Sequence, residues 1–344
     1  MAGMTSRNGV FGNLTQTKKR KHFGIDFLMT IKSITDLHIA VLCGGVGSER
    51  DVSLLSGENI YHALTRGGCR AILHDLNPQD LSILDDKAID VFFLALHGQF
   101  GEDGQLQAIL EKKNLAFTGS GSKASRLAFD KIAAKRVFAE AGLPLAKQIV
   151  VKDTDTAVQL AAKLDGWAAK VVIKPIRQGS SVGVEIHTDM PTAAAAAIRC
   201  RDTYGDCMIE EFIAGREMTV GLLEGKALPV LEIRPKVTFY DYHAKYQDDS
   251  TEYLFDTLTD AAVVKRLQAA GETVFASLGC RHLGRADFIV TEDGTPYVLE
   301  MNTLPGFTSH SLLPMAARKA GIGMEELVQR IALAGWIDHS NNTR

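Results

Sequence analysis

Cysteine pairs, long apolar runs and a surplus of either charge are all missing from this chain, and each absence removes a class of protein. The five cysteines (Cys43, Cys69, Cys200, Cys207 and Cys280) are odd in number and scattered, with no C-x-x-C spacing. A zinc site or disulfide framework is therefore not expected, and a reducing cytoplasm fits. No apolar run approaches the roughly 20 residues that span a bilayer. The net charge of -3 leaves no general nucleic-acid footprint. Neither G-x-x-x-x-G-K-[ST] nor G-x-G-x-x-G occurs, which removes the P-loop and weakens a dinucleotide reading. There is no internal repeat, and the run Ala193 to Ala197 is simply good helix-forming sequence.

What is present is a globular composition: 344 residues, 46% hydrophobic and 23% charged. At roughly 100–200 residues per domain, two or three domains are expected. The first 35 residues differ from the rest, with the basic run Lys18-Lys19-Arg20-Lys21-His22 and no periodicity. They read as a disordered extension, the alternative being a tail for nucleic acid or a membrane surface. No apolar stretch follows the charges as a secretory signal requires, and Met29 is a second candidate start.

From Leu37 onward, strand-like and helix-like stretches alternate. His38 to Cys43 and Asp90 to Leu96 read as buried strands that end in glycine turns, with a helical pattern from Ser56 to Arg66. That alternation implies a parallel sheet with sites at its strand C-termini. Ser125 to Ala141 reads as one helix stopped at Gly142-Leu143-Pro144. Strands are then expected at 148–151, 171–173, 208–213, 218–223 and 228–233, with helices at 154–164, 192–201 and 260–278.

The strongest chemical signal lies further on. Asp287 starts one expected strand, a turn follows at Glu292-Asp293-Gly294, and Glu300 and Asn302 close the partner strand on one shared face. Two carboxylates and an amide suit Mg²⁺, which takes few protein ligands and keeps phosphate and water. The alternative is a hairpin with an ordinary wet face. Lys174 ends a buried strand before the loop Gln178-Gly179-Ser180-Ser181-Val182-Gly183, which can bring backbone N–H groups to phosphate oxygens, or can be a plain surface hairpin.

Other segments are individually weaker. Lys131 is a helix lysine, and solvation alone would explain it. Glu210, Glu211 and Glu217 can accept bonds from an adenine amine and ribose hydroxyls, or stand as exposed charges at a strand end. Gly44-Gly45-Val46-Gly47-Ser48-Glu49 joins a strand to a helix and can bind an anion, with Glu49 placed to hold an amine. Otherwise it is a simple turn capped by Ser48. Phe239 to Tyr246 is a long aromatic and polar loop, a lid or a packed loop. Gly306 can offer its N–H to an oxyanion and Ser311 can bind a carboxylate near a helix start. No Ser-His-Asp arrangement can be placed.

Taken in order, GGVGSERDVSLLSG (44–57), HGQFGEDG (97–104), IKPIRQGSSVGV (173–184), YDYHAKY (240–246), GRADF (284–288) and LEMNTLPGFTSHSLLP (299–314) resemble the D-alanine:D-alanine ligases of the ATP-grasp superfamily. The resemblance covers the chain from about Leu37 and excludes the extension. It implies an α/β, partly α+β, ATP-grasp fold of three domains, at 36–123, 124–214 and 215–340, with ATP held between the central and C-terminal ones. It implies ATP-dependent joining of two D-alanines through a D-alanyl phosphate, for peptidoglycan precursors. It further implies ATP and two Mg²⁺ (or Mn²⁺) as cofactors, a homodimer, and no nucleic-acid or membrane partner.

The resemblance also implies site roles. Lys131 and Lys174 contact the nucleotide phosphates, Ser180 and its loop with Ser181 close over them, Lys245 also binds the nucleotide, and Glu210, Glu211, Ile213 and Glu217 hold adenine and ribose. Asp287, Glu300 and Asn302 hold the metals. Glu49, bonded to Ser180 and Tyr246, holds the first amine, with His97 nearby. Arg285 and Gly306 face the oxyanion, and Ser311 and Leu312 take the second carboxylate. The intact Ala244-Lys245-Tyr246 motif favours D-alanine over D-lactate or D-serine as second substrate.

Overall fold

The computed structural model describes residues 33–47, 49–234 and 251–342. In strand β1 (His38–Gly44), Ile39, Val41 and Cys43 alternate with Ala40 and Leu42, and the two sets enter different apolar clusters. A strand buried on both faces belongs in a parallel sheet. It lies between β2 (Arg70–Leu76) and β3 (Val91–Leu94), both parallel to it. Helix α1 (Arg50–Arg66) is the crossover from β1 to β2. β2 is not among the strands read from sequence. It is an edge strand with few fully buried residues, so its apolar signal is weak.

The second sheet is antiparallel, in the order β4 (Gln148–Val150), β7 (Met208–Glu211), β5 (Val171–Lys174), β6 (Glu185–His187). Helices α5 (Ala157–Leu164) and α6 (Met190–Tyr204) supply Leu160, Leu164, Ala193 and Ala197 to the cluster that also buries Ile173 and Ile209. α6 is capped at its start by Asp189, which accepts from the Thr192 N–H at 2.9 Å.

The third sheet is also antiparallel, in the order β11 (Glu252–Phe255), β10 (Leu231–Arg234), β8 (Arg216–Leu223), β12 (Leu283–Val290), β13 (Pro296–Asn302), with short β9 (Lys226–Ala227) against β8. Helix α7 (Ala261–Leu278) packs Leu267, Val274 and Phe275 onto Met218, Val220, Ala286 and Phe288. The remaining helices are α2 (Gln105–Lys112), α3 (Ser122–Phe129), α4 (Lys131–Glu140), α8 (Leu312–Lys319) and α9 (Met324–Asn342). α9 lies last in the chain, yet its Leu327, Val328 and Ile331 join the cluster of Ile39, Val41 and Phe93, closing one face of the first sheet.

Two expectations need correction. Ser125 to Ala141 is not one helix. Asp130 takes an extended conformation between α3 and α4, and its carboxylate accepts from the Ile132 and Ala133 N–H groups at 3.1 and 2.9 Å. Asp favours this N-cap position because it satisfies otherwise orphaned donors. Asp287 does not begin its strand either. β12 starts four residues earlier, and Asp287 sits in its interior opposite Glu300, where a register shift follows. Among the described residues no helix is long and apolar enough to cross a membrane.

Candidate active site

Every expected site residue that is described lines one of two adjoining cavities. Glu49, His97, Ser180, Arg285, Asn302, Gly306, Ser311 and Leu312 line the first. Lys174, Ser181, Glu210, Glu211 and Ile213 line the second. Lys131, Glu217, Asp287 and Glu300 line both, so the cavities meet at the β12–β13 hairpin. Lys245, Tyr246 and the expected lid at 240–246 lie outside the described residues, as does Ser48.

The first cavity forms where the glycine turn after β1, the loop after β3 and the loop after β5 converge. Ser180 Oγ–H donates to Glu49 Oε1 at 2.5 Å across 131 residues of sequence. Ser180 and Ser181 both hold positive φ (50° and 59°), strain typical of a functional loop. Glycine is required where chains crowd the carboxylate: a Cβ on Gly98, whose φ is 66°, would come within 2.7 Å of Glu49 Oε2. A Cβ on Gly306 would likewise meet Ser311 Oγ at 2.8 Å. Ser311 Oγ meanwhile accepts from the Thr308 N–H at 2.8 Å.

His97 is buried beside this turn. Its Nδ1 lies 3.3 Å from Glu102 Oε1 and its Nε2 3.4 Å from Ser56 Oγ. Burial pushes the Glu102 carboxyl up. The His97 contact works against that rise, and the nearby Glu49 carboxylate adds to it. Glu102 was not singled out from sequence, although it falls in the same glycine-rich segment as His97.

The hairpin carries the oxygen cluster. Arg285 grips Asp287 with two bonds, Nε to Oδ1 at 2.9 Å and Nη2 to Oδ2 at 2.7 Å, and Thr219 Oγ1 donates to Oδ1 at 2.7 Å. Lys131 Nζ lies 3.1 Å from Glu300 Oε2 and donates to the Gln178 carbonyl at 2.7 Å. Asn302 Oδ1 accepts from the Leu304 N–H at 2.9 Å. Among the described residues no group of three or more His, Cys, Asp or Glu side chains forms a metal cluster. The hairpin instead offers two carboxylates and one amide oxygen, with cationic side chains already drawn to both carboxylates. That set fits a hard cation that brings phosphate and water as its other ligands, as Mg²⁺ does.

The second cavity carries an apolar slot lined by Val172, Ile186, Phe212, Ile233 and Leu299; such a lining suits an aromatic ring. At its inner end Lys174 pairs with buried Glu210 at 2.6 Å. Lys135, 2% exposed, pairs with the same carboxylate. Burial works to raise the Glu210 carboxyl, but Lys174 and Lys135 outweigh it and hold it below the usual range. Glu211 is at the rim and pairs with Lys147 at 3.4 Å. Lys135 escaped sequence reading, yet its place four residues after Lys131 sets both on one side of α4.

Comparison with known proteins shows which proteins the chain is similar to. Residues 137–332 match the family described as D-ala D-ala ligase C-terminus, and 77–120 match D-ala D-ala ligase N-terminus. The chain is 44% identical over 306 residues to the D-alanine–D-alanine ligase of Citrifermentans bemidjiense, covering 89% of this chain and 98% of that one. It is 42% identical over 310 residues to that of Geobacter sulfurreducens, covering 89% and 96%. Among solved structures, the Bacillus anthracis D-alanine–D-alanine ligase complexed with ATP superposes with a TM-score of 0.76 at 33% identity, over 89% of this chain and 99% of that one.

Proposed function

The chain belongs to the D-alanine–D-alanine ligase family, and from that premise we propose that it joins two D-alanine molecules at the expense of ATP, releasing ADP and phosphate. The observation that carries this reading is the meeting of the two cavities at Lys131, Asp287 and Glu300. A nucleotide in the apolar slot would direct its phosphates to that junction. A small amino acid beside Glu49 would present its carboxylate there.

The proposed sequence has two steps. An oxygen of the first D-alanine carboxylate attacks the γ-phosphorus, the bond to the bridging oxygen breaks, and ADP leaves. The neutral amine of the second D-alanine then attacks the acyl phosphate carbonyl, the adduct nitrogen gives up a proton, and collapse of the tetrahedral adduct expels phosphate as the amide forms. Such transfers depend mostly on positioning and charge stabilisation. Glu49, held by Ser180, binds the first ammonium, with His97 beside it. Lys131 and Lys174 attract the phosphates. Ser181 belongs to the loop over them, and Glu210, Glu211, Ile213 and Glu217 hold adenine and ribose. Arg285 and the Gly306 N–H stabilise the oxyanion, and Ser311 and Leu312 receive the second carboxylate. Asp287, Glu300 and Asn302 would hold Mg²⁺, which when bound offsets charge on the phosphates.

We also place the enzyme in the cytoplasm, where its five free cysteines would stay reduced, serving peptidoglycan precursor synthesis, and as a homodimer. The test is ATP-dependent phosphate release with D-alanine, alone and against equal D-lactate or D-serine, with products weighed by mass spectrometry. Dominant D-alanyl-D-alanine supports the reading. Release only with another second substrate keeps the nucleotide site and overturns the substrate assignment. No turnover with any of them rejects the reading.

A further inference from the structure

At the inner end of the nucleotide slot, two ammonium groups face one carboxylate. Lys135 on α4 and Lys174 on β5 both pair with Glu210 on β7, the second at 2.6 Å. All three are buried, at 2%, 8% and 3% exposure for Lys135, Lys174 and Glu210. With every group ionised the cluster carries one surplus positive charge, and burying an unpaired charge is costly. Lys135 is the deeper of the two lysines and does not line the cavity, whereas Lys174 does.

The charged groups that act on Lys135 are Glu210, Lys174 and Lys131 of its own helix. Lys131 is itself turned toward Glu300 on β13. The other neighbours of α4 meet it through the apolar cluster of Ala128, Leu267 and Val298 around Ala134 and Phe138. Burial lowers the Lys135 ammonium and Lys174 lowers it further, while Glu210 opposes both.

We propose that Lys135 is a positioning residue for the nucleotide, an amine that takes up a proton from solvent when a polyphosphate binds beside Lys174. The phosphates engage the Lys174 ammonium, and the full charge of Glu210 then becomes available to Lys135. The surplus cation of the cluster is matched by the incoming anion. The amine, whose ammonium form burial disfavours in the empty site, holds its proton more firmly in the filled one and acts on the nucleotide only through Glu210. This inference rests on the nucleotide reading of the slot.

The experiment is calorimetry of ADP binding to the full chain in buffers of different ionisation heat. It is run at about pH 8.5, well above the second phosphate ionisation near pH 6, so the ligand itself exchanges little. The expected result is net proton uptake approaching one per nucleotide. Correspondingly, Kd rises with pH, by up to about tenfold per pH unit, through the alkaline window where binding takes up the proton. Lys135→Met keeps a neutral Lys174–Glu210 pair and should bind ADP with neither uptake nor that pH slope. Binding by the wild-type chain with no proton uptake between about pH 7 and 9 overturns the proposal whether or not the variant folds. Uptake that persists undiminished in a folded Lys135→Met protein does the same. Failure of ADP to bind the wild-type chain at all rejects the nucleotide reading instead.

Discussion

Glu102 and Glu210 line two adjoining cavities, and the protein drives their protons in opposite directions. Glu210 is buried and Glu102 is half-buried, its side chain 15% exposed. Beside Glu102 stand an imidazole and the anionic Glu49, so burial wins and the protonated form is favoured. Beside Glu210 stand two lysines, so the charge of the partners wins over burial and the carboxylate is favoured. One residue type thus takes opposite preferences in the two cavities, and the neighbours make the difference.

The comparison can be broken most severely at Lys174. Lys174→Met should lower kcat/KM for ATP by about 10²–10³-fold, the scale for losing a group that stabilises transferring charge. It should also leave Glu210 with Lys135 alone. Phosphate release across an ATP titration checks this, and a loss under about threefold on that scale would remove Lys174 from the phosphate site.

Next in size is Ser180→Ala. It leaves the Glu49 carboxylate without its 2.5 Å partner and should raise KM for the first D-alanine by roughly tenfold, the value of a charge-assisted bond. ATP binding should change little. An equal rise in both Michaelis constants would mean that the loop serves the nucleotide instead.

The opposed proton preferences predict opposed pH dependence of stability. The folded state raises Glu102 above its unfolded value. It therefore costs stability that is absent below the unfolded pKa and grows as pH rises toward the folded one. Glu102→Gln should gain on the wild type as pH rises from acid to neutral. The folded state depresses Glu210, so its contribution is present above the unfolded pKa and is lost as pH falls through the folded value. Glu210→Gln should be the less stable protein at neutral pH and converge on the wild type in acid. Urea melts at three pH values read both slopes, and slopes of one sign would refute the contrast.

The smallest effect concerns placement of Lys131. Asp130→Ala removes the cap of α4 and the 2.7 Å bond from Arg177, which should cost about 1 kcal/mol of stability. It should raise KM for ATP only a few-fold on that energy scale. Denaturant midpoints and ATP titrations measure the two together.

Much of this could be read before any coordinates. The period-two spacing of Glu300 and Asn302 put their side chains on one face, and the apolar runs at 38–43 and 171–173 marked buried strands. The ordered motifs carried the family. Asp130 is hidden in the sequence because it interrupts an otherwise helical run by one residue, and only its extended backbone shows it to be a cap. β2 was missed because an edge strand lacks the continuous apolar run of a central one. Glu102 and Lys135 were missed because neither has an unusual local pattern. What sets them apart is burial and the charge that faces them.

The division follows from the range of the forces. Local sequence determined the central buried strands and the oxygen-bearing hairpin, because backbone period and side-chain chemistry act over a few residues. Tertiary structure alone decided that Ser180 meets Glu49 across 131 positions and that two lysines share Glu210. It likewise decided that the Glu102 carboxyl is pushed up and the Glu210 carboxyl down. Dielectric and Coulomb terms sum over neighbours from every part of the chain, and no local pattern encodes that sum.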